Sequence, residues 1–303
     1  GEEWIPSAPK HIALFDAFGW TPPIFVHCPV IVGSDGKKLS KRHGATRVLD
    51  YAAQGFMPQS LKNFIALIGW SPGEDREVLT EAELISLFDL DRLQPSPGRF
   101  DMEKLQWLSG HAIRALDIDD LLQRILDFVA FDYARDYHHW EVSDEDGGAA
   151  EQAKRIARWA SLELLATKAA EDRDYVRKCV VLEQERVTTL ADFGEACEFF
   201  LVDQPKMDAK AVEKWFGQPH ARSLFEAIKT YCDNGGDNSV EAYEKLLRGF
   251  QESAGLEKLG PVVHPTRVAL TGKTFGPGLF ELMAVLGPER ISKRLEHALA
   301  NLS

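Results

Sequence analysis

Between residues 9 and 20, Ile12, Ala13, Phe15 and Ala17 recur with a helical period and Gly19 supplies a stop, so a helix is predicted there. After Pro22-Pro23 the pattern changes. Ile24-Phe25-Val26-His27 and Val30-Ile31-Val32 are short β-rich runs, bounded by Gly33 and Gly36. One helix and one strand are too few for a doubly wound sheet and read as the last unit of one. Beyond about residue 35 the strand signal ends. Helices are predicted over 48–53, and over 58–68 with Leu61, Phe64, Ile65, Leu67 and Ile68 turned inward. Another runs from a Thr80 cap with early acids to Phe88, and another from an Asp101 cap through 104–108 toward Gly110. Residues 119–128 are amphipathic, and 143–148 read as a loop. From 149 onward nearly every segment has a period of 3.6: 151–168, 174–185, 189–200, 209–216, 221–231 and 239–254. Pro277 stands where a proline opens a helix that Gly287 closes, and 289–302 form the last helix. The chain is therefore expected to be mainly α. Trp70 and Trp107, at apolar helical spacing, are expected in its core.

The length of 303 residues suggests two or three domains, and 45% hydrophobic with 27% charged residues is an ordinary globular mix. No run approaches the roughly 18 apolar residues that cross a bilayer. The four cysteines, Cys28, Cys179, Cys197 and Cys232, contain no C-x-x-C pair. Reduced thiols, no cysteine-based zinc site and a cytoplasmic location are the expectation. His138-His139 is expected to be a surface pair, since adjacent side chains diverge and no third ligand is spaced to help. No metal site is expected.

A net charge of −12 discourages a nucleic-acid partner only until its distribution is considered. Phosphates sense local patches, because screening sets in over about 8 Å. Between Asp35 and Arg47, five cations (Lys37, Lys38, Lys41, Arg42 and Arg47) face the single acid Asp35, while acids gather elsewhere, as at Glu141, Asp144, Glu145 and Asp146. The segment Gly36-Lys37-Lys38-Leu39-Ser40-Lys41-Arg42-His43-Gly44 follows a predicted strand, with glycines at both ends that let it bend. Lys38 and Lys41 can face one anionic ligand, and Ser40 adds a hydroxyl between them. Such a pair suits the charge that builds on triphosphate oxygens during nucleotidyl transfer. On composition alone, a solvated basic turn is the commoner outcome.

The motif changes that weighting. Lys38-Leu39-Ser40-Lys41-Arg42 resembles the K-M-S-K-S signature of class I aminoacyl-tRNA synthetases, in the L-S-K-R form of the glutamyl and glutaminyl branch. Its surroundings resemble bacterial glutamyl-tRNA synthetases in order and spacing. Before it stand Gly1-Glu2-Glu3-Trp4, Pro9-Lys10-His11 and Phe18-Gly19-Trp20. After it come Gly55-Phe56-Met57-Pro58, the run from Asn63 to Gly69-Trp70, and Phe100-Asp101-Met102 through Trp107-Leu108. Arg267 to Gly272 and Gly276-Pro277-Gly278 are similar to that family's terminal helical domain. The likeness is weakest over about 130–175.

The resemblance implies a reaction in which ATP and glutamate form glutamyl-adenylate and pyrophosphate, with transfer of the glutamyl group to the 3′ end of tRNA(Glu). It implies ATP with Mg2+ in the intact enzyme, and a monomer is expected. Lys38, Ser40 and Lys41 would be the catalytic set, and Lys38, Leu39, Ser40, Lys41 and Arg42 would bind ATP. Arg42 stands where the general signature has serine, so no serine contact carries over. The implied architecture is a short α/β remnant of the Rossmann-like catalytic domain with the loop (1–44), a stem-contact region (45–117) and two all-helical anticodon-binding subdomains (118–208 and 209–303). Contacts to tRNA are expected from Arg47, Lys104 and Arg114. Arg186, in the family-like stretch Glu183-Gln184-Glu185-Arg186-Val187, is expected to read an anticodon base, against the plainer alternative of a surface arginine paired with Glu183.

The chain begins Gly1-Glu2 without a methionine, and no histidine stands in an H-x-G-H tetrad. The expectation is a chain without the first half of the catalytic domain, unable to make adenylate alone. The rival from another class is a non-catalytic tRNA-binding or adaptor protein. A short tRNA-modifying relative is disfavoured by the long helical region after Leu116. Thr271-Gly272-Lys273-Thr274 lacks the earlier glycine of a phosphate loop, Arg267 standing there instead, and reads as a turn with Lys273 near RNA.

Overall fold

The structure is a computed structural model that describes residues 1–39, 47–143 and 146–302. Among these residues the regular structure is helical. Helix α1 spans Ala8–Ala17, α2 Val48–Ala53, α3 Pro58–Gly69, α4 Glu81–Leu87 and α5 Met102–Arg114. Then follow α6 Ile118–Val129, α7 Asp132–His139, α8 Gly148–Glu171, α9 Arg173–Glu183, α10 Asp192–Leu201 and α11 Ala209–Phe216. The chain closes with α12 Ala221–Asp233, α13 Val240–Ser253, α14 Gly260–Thr271, α15 Leu279–Leu286 and α16 Pro288–Ala300. They form two compact units. The first holds residues 1–115, 133–149 and 188–190, and the second holds 116–132, 150–187 and 191–303.

In the first unit, α3 and α5 pack together. Pro58 opens α3 and turns Leu61, Phe64 and Ile68 inward, while the Asp101 carboxylate caps α5 by accepting from the Glu103 and Lys104 amides at 2.9 and 3.2 Å. Leu105 and Leu108 meet that face, with Tyr51 and Phe56 completing the cluster. Thr80 and Glu83 cap α4 reciprocally. Trp70 is 2% exposed, as expected, but Trp107 is 42% exposed. The reason is phase: the buried stripe of α5 is Leu105, Leu108, Ser109 and Ile113, and position 107 lies off it.

The two β-rich runs do not form strands. Ile24 is 91% exposed, and among the described residues only Val32 of these runs makes ladder-type bridges, to Lys38 and Arg99. β-Branched composition builds a strand only where a lateral partner takes the backbone groups and a surface takes the side chains. Helix α1 forms as expected and stops at Gly19 in a left-handed conformation, yet buries none of its residues.

The second unit is the helical half expected from the sequence. Helix α14 was not predicted, because it is buried nearly all round and so shows no amphipathic period. It also carries Pro265 in its interior. The amide that Pro265 lacks leaves the Pro261 carbonyl without its helical partner, and His220 Nε2 donates to that carbonyl at 2.8 Å. Gly272 ends α14 at φ +72°, and a Cβ there would lie 2.1 Å from the Lys206 carbonyl oxygen. Only glycine fits. Helix α7, eight mostly polar residues, is too short to display a period.

Arg294 of α16 is held by four hydrogen bonds to main-chain carbonyls. It is 1% exposed and donates from Nε to the Asp203 carbonyl at 3.1 Å. Nη1 reaches Leu270 at 2.5 Å, and Nη2 reaches both Phe199 and Val202 at 2.6 Å. These are carbonyls from the ends of α10 and α14, where the helix leaves acceptors unmatched and the dipole favours a cation. Arg290 Nη1 and the Tyr175 hydroxyl donate to the Phe200 carbonyl at 3.1 and 2.8 Å, completing the cap. Burial holds the Arg294 guanidinium down at about 10, still charged at neutral pH. Arg294→Lys keeps the charge but cannot reach four acceptors, and each orphaned carbonyl costs about 1–3 kcal/mol. The expected loss is about 3 kcal/mol or more in urea unfolding of this unit; an unchanged midpoint would contradict it.

Candidate functional site

The described part of the basic loop is its stem. Residues 31–39 form a hairpin in which the Leu39 amide donates to the Ile31 carbonyl at 2.9 Å and the Gly33 amide to the Lys37 carbonyl at 2.8 Å. Val32 also exchanges hydrogen bonds with the chain before α5, donating to Gly98 at 3.0 Å and accepting from Phe100 at 2.8 Å. Phe100 stands edge-on to Phe64 at 4.8 Å, and Ile31 packs on the same cluster. Position 98 must be glycine, because a Cβ would lie 2.2 Å from the Ile68 carbonyl oxygen. The stem is thereby pinned to the α3–α5 core. Lys38 stands on it opposite Val32, exposed, with its ammonium 3.1 Å from Glu3 Oε1. Leu39 is half-buried. Ser40, Lys41 and Arg42 lie outside the described residues.

Arg47 follows the loop and is engaged. Its Nε and Nη2 donate to the buried Asp50 carboxylate at 3.2 and 3.1 Å, and its guanidinium carbon stands 5.7 Å from the centre of the Trp140 ring. The Tyr133 hydroxyl donates to the same carboxylate at 2.9 Å. The Asp50 hydrogen bond holds the Arg47 guanidinium more firmly protonated than usual. Lys104 is ion-paired with Glu77 at 2.7 Å, and Arg114 is half-buried in the last turn of α5.

The structure brings a second group of charges together in the other unit. Arg186 Nε lies 3.3 Å from Glu183 Oε2, but the pair is not a plain surface pair, since Glu183 is 3% exposed. Arg267 and Lys273, from α14 and the turn after it, also act on this carboxylate. Arg267 is buried, with its pKa lowered first by burial and then by Arg186, and its Nη1 donates to the Pro277 carbonyl at 2.7 Å. That bond latches the turn 272–278. On the turn, the Lys273 ammonium stands 5.9 Å from the centre of the Phe275 ring, which is 64% exposed. An exposed aromatic beside cations offers a base-stacking platform with phosphate contacts. The burial of Glu183 and the roles of Arg267 and Phe275 were not foreseen.

The paired histidines also part company. His138 is buried and donates from Nε2 to the Ala53 carbonyl at 3.0 Å, whereas His139 is exposed. The expected surface pair is corrected by this helix: adjacent positions point about 100° apart, so one side chain enters the core. Among the described residues, no three His, Cys, Asp or Glu side chains group as metal ligands, and no helix is long and apolar enough to cross a membrane. Cys28 is exposed and the other three cysteines are buried, all as free thiols.

Two family profiles match this sequence: "tRNA synthetases class I (E and Q), catalytic domain" over residues 1–107, and "Anticodon binding domain" over 150–299. Among similar curated proteins, a glutamate–tRNA ligase of Moorella thermoacetica is 32% identical across 98% of this chain and 54% of its own length. One of Herpetosiphon aurantiacus is 36% identical across 100% of this chain and 55% of its own. A crystal structure of a glutamate tRNA ligase from Elizabethkingia meningosepticum in complex with its amino acid superposes with a TM-score of 0.75 at 26% identity. It covers 100% of this chain and 56% of that one. The chain spans about half the length of the curated relatives it matches.

Burial lifts the Glu183 carboxyl from the ordinary 4.5 to about 7, against the opposing pull of Arg186. Between those values the folded state holds more protons than the unfolded one, so stability falls as pH rises through the window. Above it the ionised carboxylate costs about 3 kcal/mol. Glu183→Gln should raise the unfolding free energy by about 2–3 kcal/mol at pH 8 and change it little at pH 4.5. Urea titrations at the two pH values check this, and equal effects at both would contradict it.

Proposed function

This chain belongs to the class I glutamyl-tRNA synthetase family, and we propose that it supplies the signature loop and the tRNA-binding parts of a glutamate–tRNA ligase. In that reaction ATP and glutamate give glutamyl-adenylate and pyrophosphate, and the glutamyl group then passes to the 3′ end of tRNA(Glu). The observation that carries the reading is the pinned hairpin stem. It holds Lys38 at a fixed, exposed edge, and the sequence continues Leu39-Ser40-Lys41-Arg42.

The donor chemistry present fits a nucleotide. Among the described residues the Lys38 ammonium pairs with the exposed Glu3 carboxylate, and pairs of this kind are weak, so a polyphosphate can displace it. ATP, as its Mg2+ complex, is substrate. It supplies the activated phosphoanhydride whose cleavage forms the adenylate. Lys38 and Lys41 would bind its phosphate oxygens, and Ser40, Leu39 and Arg42 would line the same loop. Lys41 would stabilise the charge that grows on the departing pyrophosphate, the electrostatic role that such a lysine pair serves.

For the RNA, Arg186 would read an unstacked anticodon base through its planar fork, with Phe275 and Lys273 beside it. Arg47, Lys104 and Arg114 would meet phosphates. Arg47 and Lys104 would exchange their carboxylate partners for that contact. The four-part division at 44, 117 and 208, a monomeric state and a cytoplasmic location complete the assignment.

Filter binding of the chain to tRNA(Glu) tests the RNA half. Affinity should fall steeply with salt, and Arg186→Ala should weaken binding by tenfold or more, on the order of a 1–3 kcal/mol base contact. No retention of tRNA at low salt would overturn the reading. The 303 residues hold no H-x-G-H tetrad, so with ATP and glutamate they should show no pyrophosphate exchange by themselves; measurable exchange would contradict the assignment of the remaining active-site groups to other residues.

A further inference from the structure

A carboxylate buried among three cations, at a place where its charge costs stability, calls for a role beyond packing. Glu183 ends α9, and the groups that act on it come from every side of that end. Arg186 lies one turn further along the chain. Arg267 reaches it from α14, and Lys273 from the turn after α14. The thiols of Cys179 in α9 and Cys197 in α10 feel its charge, and Glu281 of α15 bears on Arg267. The ion pair with Arg186 uses Nε. A guanidinium paired through Nε can keep its terminal amino groups for another acceptor, which is the geometry for bidentate contact with a base edge.

We propose that Glu183 is the positioning residue for Arg186: its buried carboxylate orients the guanidinium so that the fork discriminates among unstacked bases. This rests on the reading of Arg186 as an RNA contact. The neighbouring Arg267 is already committed to the Pro277 carbonyl, so the carboxylate is directed to Arg186. Ionised, Glu183 holds Arg186 and lowers the local positive charge. Protonated, it releases Arg186 and leaves the three cations with Glu281, on Arg267, as the remaining named acid, which favours indiscriminate phosphate binding. Selectivity therefore rises with pH across neutrality while overall affinity falls, and burial places the Glu183 titration at about 7, inside that range.

The test compares filter binding of tRNA(Glu) with that of tRNA(Glu) bearing single anticodon changes, from pH 6 to pH 8.5 at fixed salt, for the 303-residue chain and Glu183→Gln. The wild-type ratio of affinities should grow about tenfold over the range, and Glu183→Gln should show a low, pH-independent ratio with undiminished binding to the altered RNAs. Arg186→Lys, which keeps the charge without the fork, should lose the same discrimination, and the double variant should lose no more than either single one. A Glu183→Gln ratio equal to the wild type, a wild-type ratio flat with pH, or additive losses in the double variant would each overturn the proposal. A wild-type chain that retains no tRNA removes the RNA reading itself and this inference with it. Glu183→Gln is expected to stabilise the fold at pH 8, and a melting curve at that pH separates loss of discrimination from unfolding.

Discussion

The second unit turns on a buried cation satisfied by main-chain carbonyls. Arg294 reaches carbonyl acceptors from the ends of α10 and α14, with no carboxylate paired to it among the described residues, and Arg290 and Tyr175 take the next carbonyl along. A guanidinium in that position replaces the water that helix ends would otherwise need, and it fixes two helices relative to a third. The consequence extends to the charge cluster. Helix α14 carries Arg267 and leads into the turn with Lys273 and Phe275, while α9, packed on α10, ends at Glu183. Where Arg186 can point is set by helices whose own ends are closed by Arg294.

The two candidate sites hold charge in opposite ways. Lys38 stands in solvent on a rigid hairpin, and its bond to Glu3 is exposed and exchangeable. The rigidity comes from the backbone: Val32 between Lys38 and Gly98, with Gly98 pressed against Ile68. Glu183 is the reverse case. Its burial makes ionisation unfavourable near neutral pH, and its partner Arg186 stands exposed at the edge of that buried site. An exchangeable exposed pair suits a ligand that arrives and departs with each cycle. A buried carboxylate suits the fixed presentation of an exposed guanidinium beside it.

Arg47 shows how a surface cation can be placed without being free. Bidentate contact with Asp50, shared with Tyr133 and flanked by Trp140, fixes the chain at the point where the loop returns to helix. Segment 133–149 belongs to the first unit although α6 and α8 on either side belong mainly to the second. Such a return leaves no mark on local periodicity, because nothing in a short polar helix says which core it joins.

Much was determined by the chain as written. The 3.6 period, the Thr80 and Asp101 caps, Pro58 at a helix start and Gly19 and Gly287 at helix ends are local signals, and the helices form where those signals stand, whereas Pro277, expected to open a helix, precedes the Gly278 cap of α15. The L-S-K-R motif and its spaced neighbours pointed to the family for the same reason: they are contiguous in sequence. Tertiary structure alone decided the rest. Ile24 to Val32 had strand composition but found lateral partners only at Ile31 and Val32 among the described bridges and ladder bonds, α14 was hidden by being buried nearly all round, Trp107 fell off the buried stripe, and His138 entered the core while His139 did not. Above all, the meeting of Glu183 with Arg267 and Lys273, some 80 to 90 residues away in the chain, is a product of packing. Propensity acts over a few residues, whereas burial and charge act through space, and only the folded chain sets those distances.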